Sequence, residues 1–256
     1  MSSTITEVRA MSAADPVFAD LVLQLWRARK ARQYMKDRRA QLYELIVDEH
    51  RRAMDNGSDV LTLGHPGGDD ARAVKRREVA PEPKWTVPSA VAKKAAPQVW
   101  ARAKRTASRV ATTPPKTLAV PTVAQLDMRL PAVPAEGERW ELRRIVDNYE
   151  DASDVPYASD EDAAKARLVE YSTDRLGFVP PELRGDPGIE PPMWDGTPIV
   201  FGDGWKVGLT VTQYDADVLR EIAPELWEKL AVQVTPASYE TVYVSRSLPV
   251  DGEYAD

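Results

Sequence analysis

The chain has no cysteine, which excludes disulfides, thiolate metal sites and a cysteine nucleophile. It has only two histidines, His50 and His65, so imidazole chemistry is confined to those positions. Phosphate-cradling glycine loops, a Ser/His/Asp set and a histidine pair at metal-ligand spacing are all missing. No apolar run approaches the roughly 18 residues that a membrane span needs. Met1 to Pro16 shows neither a basic segment nor an apolar segment of a secretory leader, so a cytoplasmic protein is expected, in a host cell if phage-encoded. No cofactor, metal or catalytic residue is expected either.

What is present is a core-forming complement of apolar residues, 43% of 256 with seven Trp, interrupted by 21 Pro that impose much irregular chain. The net charge of −6 conceals an asymmetry. Residues 1–130 carry 23 Lys+Arg against 14 Asp+Glu, and residues 131–256 carry 11 against 26, so the halves sum to +9 and −15. A basic half beside an acidic one suits a polyanion-binding face with an acidic counterpart.

The most informative pattern is an internal echo. Val91-Ala92-Lys93-Lys94-Ala95-Ala96-Pro97-Gln98-Val99-Trp100 recurs as Val218-Leu219-Arg220-Glu221-Ile222-Ala223-Pro224-Glu225-Leu226-Trp227, at a constant offset of 127 residues. Proline inside a helix costs about 3 kcal/mol. Two copies with Pro97 and Pro224 at one register therefore imply a shared broken helix, with proline opening its second segment. Trp100 and Trp227 sit on the apolar side of that segment and are expected as buried structural anchors. A stretch that reads as a hairpin precedes each copy, so hairpin plus broken helix is the expected unit, 59–105 superposing on 197–230.

Before the first copy, Asp15-Pro16 opens a helix that Gly57 would stop, about 40 residues or roughly 60 Å long. Arg32 and Arg39 interrupt its apolar seam, so it is expected as a basic, coiled-coil-like arm with a wet middle, or as two helices, offering a surface for self-association. The expected class is α+β, divided into a helical arm (1–56), a first hairpin/broken-helix unit (57–111), a Pro-rich linker (112–137), a helical acidic segment (138–196) and a second unit (197–256). The tail from Pro249 is expected to fray.

Lys93, Lys94, Arg102, Lys104, Arg105 and Arg109 cluster on the first copy and are the candidate phosphate contacts. The matching region of the second copy carries Asp215, Asp217, Glu221, Glu225 and Glu228. Asp70 with Glu82 and Lys84 satisfies the spacing of a metal-dependent nuclease core, although Pro81 and Pro83 would spoil the central strand such a core requires. The acidic run Asp151, Asp154, Asp160, Glu161, Asp162 lacks calcium-loop spacing.

The long charged helix, the hairpin and the Val-x-Lys-x-x-Ala-Pro-x-Val-Trp segment resemble small accessory proteins of actinobacterial tailed phages. Some of these are similar to recombination-module proteins of the DNA-end-protecting Gam type. The resemblance covers residues 18–109 and, through the repeat, 197–235. It implies a non-enzymatic protein that engages DNA or a DNA-processing partner through the basic half. Two alternatives remain open: a virion or assembly protein, and the nuclease.

Overall fold

The computed structural model describes residues 15–57, 60–65 and 68–246, so the tail from Pro249 and the residues before Asp15 lie outside the described residues. The chain is α+β and forms two compact units that are interleaved in sequence. One comprises Met1–Lys30, Lys84–Thr122 and Tyr157–Val234; the other comprises Ala31–Pro83, Val123–Pro156 and Thr235–Asp256. The consecutive segments expected from the sequence therefore do not correspond to compact bodies.

Helix α1 runs unbroken over Pro16–Asp55. The Asp15 carboxylate accepts from the Val17 and Phe18 amides at 3.1 and 3.0 Å, satisfying donors that the first turn leaves open. The expectation of a separate helical arm over 1–56 is corrected by burial. Phe18, Val22, Leu25 and Trp26 are buried in the first unit, and Met35, Leu42 and Ile46 in the second, so the apolar seam is consumed within the chain. The charged interruptions of that seam are satisfied as well. Arg32 pairs with Asp154 at 2.9 Å, and Arg39 donates to the Tyr149 carbonyl while stacking 4.1 Å over its ring. The Arg32 guanidinium holds the Asp154 carboxyl below its ordinary range.

In the second unit, strands β1 (Val60–Leu63) and β2 (Arg72–Val79) form a hairpin, and β8 (Tyr239–Ser245) pairs antiparallel with β2. Helix α4 (Leu142–Asp151) turns Ile145 and Val146 into the interior. Arg72 makes a two-pronged bond to Glu150 at 2.8 and 2.9 Å, which draws the Glu150 carboxyl below its usual range.

The first unit contains β3 (Lys84–Thr86), α2 (Ser89–Ala95), α3 (Pro97–Arg102), β4 (Lys104–Thr113), α5 (Val155–Leu176, from Tyr157 onward), β5 (Ile199–Val200), β6 (Lys206–Tyr214), α6 (Ala216–Ile222), α7 (Pro224–Leu230) and β7 (Val232–Val234). Helix α5 ends at Gly177, whose φ of +61° an L side chain would resist; a Cβ there would also lie 2.7 Å from Met193. The main core joins Phe18, Val22, Leu25 and Trp26 to Leu168, Phe178, Trp205, Val207 and Leu209. Trp26 meets Trp205 edge to face at 6.1 Å.

Candidate nucleic-acid interface

The repeat is real, but its unit is not the expected one. The first hairpin, β1–β2, belongs to the other compact unit, so it is no part of the echo. What repeats is strand, short helix, short helix, strand: β3-α2-α3-β4 against β6-α6-α7-β7. The break between helices is the same in both. Ala96 has φ −149° and ψ 77°, and Ala223 has φ −151° and ψ 67°, each followed by proline at the first helical position. The Ala96 amide bonds the Ala92 carbonyl at 2.9 Å, and the Ala223 amide bonds that of Leu219 at 2.9 Å. Proline lacks the amide that would carry the first helix's hydrogen bonds across the junction.

The strand pairing carries the symmetry further. β3 pairs with β7 as Lys84↔Val234, Trp85↔Gln233 and Thr86↔Val232. β4 pairs with β6 as Arg105↔Gln213, Thr106↔Thr212 and Ala107↔Val211, among others. Shifting each residue by its repeat partner turns the first set into the second, pair for pair. Each copy thus supplies one strand to both ladders, the arrangement of an approximate two-fold axis between the copies. Their shared core joins equivalent positions: Ala92 and Leu219, Val99 and Leu226, Trp100 and Trp227, Ala103 and Leu230. Val87 and Tyr214 are also equivalent, and the Tyr214 hydroxyl donates to the Val87 carbonyl at 3.0 Å; burial raises that phenol's pKa.

Trp100 and Trp227 are anchors at equivalent places, half-buried rather than fully buried. Lys93 Nζ lies 5.0 Å from the Trp100 ring centroid, and its repeat partner Arg220 lies 4.8 Å from that of Trp227. The first copy adds two contacts of its own: Lys104 Nζ 4.8 Å from the Trp100 ring, and a bond from the indole N–H to Ser89 Oγ at 3.0 Å.

On this common backbone the charges differ. Residues 89–105 carry Lys93, Lys94, Arg102, Lys104 and Arg105 and no acid, a net +5. The matching residues 216–232 carry Asp217, Glu221, Glu225 and Glu228 against Arg220 and Lys229, a net −2. All five cations of the first copy are exposed, as is Arg109. Lys94, Arg102 and Arg109 make no salt bridge among the described residues. Arg105 meets Asp215 at 3.0 Å, and Asp215 also caps α6 by accepting from the Asp217 and Val218 amides.

Elsewhere much of the opposite charge of the two sequence halves is spent internally. Arg29–Glu161, Arg72–Glu150 and Arg76–Glu240 lie at 3.2, 2.8 and 3.1 Å, and Arg139 reaches back to Glu49 at 2.8 Å. On the first copy, residues 89–105, five exposed cations stand with no acid among them.

Arg109 sits in a bulge of β4. Ser108 faces Thr210 and Ala111 faces Gly208, so Arg109 and Val110 oppose a single residue of β6. Arg109 there lines a cleft of about 580 Å³ with Arg29, Lys165 and Phe178. Arg29 is fixed by Glu161, by Thr112 Oγ1 at 2.9 Å and by the Val110 carbonyl at 2.7 Å. Lys165 also binds Glu161, at 2.8 Å. The Ser108 amide and hydroxyl bind Glu182 and hold its carboxyl below the ordinary range. This cluster joins residues 29, 109, 161 and 165, and no local spacing in the sequence announces it.

Of the nuclease trio, Asp70 bonds Arg143 at 3.3 Å, Glu82 is exposed outside any strand, and Lys84 begins β3. Among the described residues no group of three or more His, Asp or Glu side chains could hold a metal ion, and no helix is long and apolar enough to cross a membrane. No protein-family model, curated protein or solved structure matches the chain.

Proposed function

We propose that the protein is a non-enzymatic binding protein that engages DNA through the first copy of its βααβ repeat, alone or beside a DNA-processing partner. The observation that carries this is the +5 against −2 on one backbone. A fold that needs only the shared core tolerates either sign at these exposed positions, so their charge is free to serve a ligand. Exposed lysines and arginines without acidic partners neutralise phosphates and release counterions on binding. A phage recombination setting is what the sequence resemblance of residues 18–109 adds.

The test is a salt titration of DNA binding by the full chain. Affinity should fall steeply with salt, with a log–log slope of about −0.9 for each phosphate neutralised on a duplex and about −0.7 on a single strand. Reversing Lys94 and Arg102 to Glu should flatten that slope while the thermal transition stays near that of the parent. Binding with no salt dependence, or a slope untouched by the reversals, would refute the proposal.

A further inference from the structure

Six of the seven Trp are buried or half-buried, and Trp85 alone is exposed, at 61%. An indole so far out of the core contributes little to folding, since Trp is ordinarily among the more buried residues. The repeat supplies an internal control for this position. Trp85 sits opposite Gln233 in β3–β7, and the equivalent pair in β4–β6 is Thr212 opposite Thr106. There two small side chains, hydroxyl to hydroxyl at 2.8 Å, do all that the ladder requires. The backbone therefore does not call for an aromatic ring at Trp85.

The backbone on either side of the ring is restricted by proline. Pro83 precedes the strand and Pro88 follows it, each fixing its own φ, and Val87, just past the strand, is fully buried. Lys84 is adjacent and exposed, and Lys93 and Lys94 follow on the next helix. Trp100, the other aromatic of this copy, already carries two ammonium groups over its ring. Gln233 is the cross-strand partner of Trp85 and carries an amide with donors and an acceptor to offer.

We infer that Trp85 is a stacking platform for an unpaired base, and that the DNA taken by the first copy is single-stranded. This deepens the proposed function and rests on it. An exposed indole on a copy that carries five exposed cations and no acid over residues 89–105 matches the way single-strand binders combine base stacking with a positive track, and base faces inside a duplex are not open to such a ring.

The experiment compares a fluorescent oligo(dT) with a duplex of equal length, using the full chain and two variants. Trp85→Thr installs the residue that the repeat itself carries at the equivalent place, and Trp85→Phe keeps a smaller aromatic face. Wild type should prefer oligo(dT). Trp85→Thr should weaken oligo(dT) binding roughly 5- to 150-fold, the worth of one base–aromatic stack. Trp85→Phe should recover most of that loss, and the salt slope of every protein should be the same because no phosphate contact is removed. Thermal melts of the variants should overlay that of wild type. Equal oligo(dT) affinity in Trp85→Thr would overturn the stacking role, as would a preference of wild type for duplex; in both cases salt-dependent binding would leave the proposed function standing. Self-association lost in Trp85→Thr with DNA binding unchanged would also overturn it, assigning the ring to a subunit contact. No DNA binding by wild type would bring down both.

Discussion

The two βααβ copies share a backbone and divide its surface. Their helix breaks agree within 10° in ψ, at 77° and 67°, and their ladders exchange pair for pair, yet one surface is net +5 and the other −2. What both copies retain is therefore what the fold needs: the Ala-Pro break, the Trp anchor and the cation over it. What they do not share is open to function, namely Lys94, Lys104, Ser89 and Trp85 in the first, Glu221, Ala231, Ala216 and Thr212 in the second.

The comparison breaks most directly at the anchors. If Trp100 and Trp227 hold equivalent places in one core, truncating either to Ala should cost about 3 kcal/mol, the low end for large aromatics because both are half-buried. At roughly 2–4 °C per kcal/mol, that lowers the melting temperature by roughly 6–12 °C, by similar amounts at the two sites. A large loss at one and none at the other, read by thermal melts, would mean that the symmetry is geometric only.

A gain of function sharpens it next. Glu221→Lys, Glu225→Gln and Glu228→Ala together raise the second copy from −2 to +2 without touching its core side of Leu219 and Leu226. DNA affinity of the full chain should rise about three- to tenfold at 0.1 M salt, with a steeper salt slope, if local charge alone separates the copies. An unchanged affinity would show that the first copy owes its binding to Trp85 or Arg109 as well.

How much of this was legible beforehand follows from the range of each interaction. Helix α1 was readable because its start and stop are local: an Asp-Pro before it and a glycine after it. The Ala-Pro break was readable because proline acts on its own turn. The ladder partners were not, since β3 finds β7 and β4 finds β6 more than 90 residues away, and alternation says which face is buried but not what pairs. The β1–β2 hairpin adjoins the repeat in sequence without belonging to it; adjacency is a tendency of folds, and here the chain crosses to another compact unit at Pro83 and Lys84. The charge split was visible, but its partial cancellation through Arg29–Glu161 or Arg72–Glu150 depends on contacts between distant segments. Interleaving also means that residues 1–130 contain only one strand of each repeat ladder, so the basic half is not a separable fragment.

Asp215 tests the one place where the copies start differently. Its partner Pro88 opens α2 with no side-chain cap, whereas the Asp215 carboxylate accepts the Asp217 amide at 2.8 Å and the Val218 amide at 3.3 Å. Asp215→Ala should cost about 1 kcal/mol, as lost caps do. Asp215→Asn keeps an acceptor but removes the charge that holds Arg105, so its melt should match wild type while DNA affinity rises a few-fold. If both variants leave DNA binding unchanged, Arg105 is not among the phosphate contacts.

The smallest expected effect is at the prolines themselves. Pro97 and Pro224 occupy the first position of α3 and α7, where the missing amide would lack a helical partner in any case and a φ near −65° is already required. Their contribution is mainly to restrict the unfolded chain, so Pro97→Ala and Pro224→Ala should each cost about 0.4–1 kcal/mol, measured by urea titration. The two losses should be equal and should leave DNA binding and the Trp environment in near-UV circular dichroism unchanged. The alternative is that alanine lets the two short helices fuse into one, which the Ala96 and Ala223 dihedrals resist and the exchanged ladders oppose by fixing both strand ends. Fusion would show as a gain in far-UV helix signal with a change at Trp100 or Trp227. That outcome would place the cause of the break in proline, whereas its absence would place it in the ladders that the two copies build together.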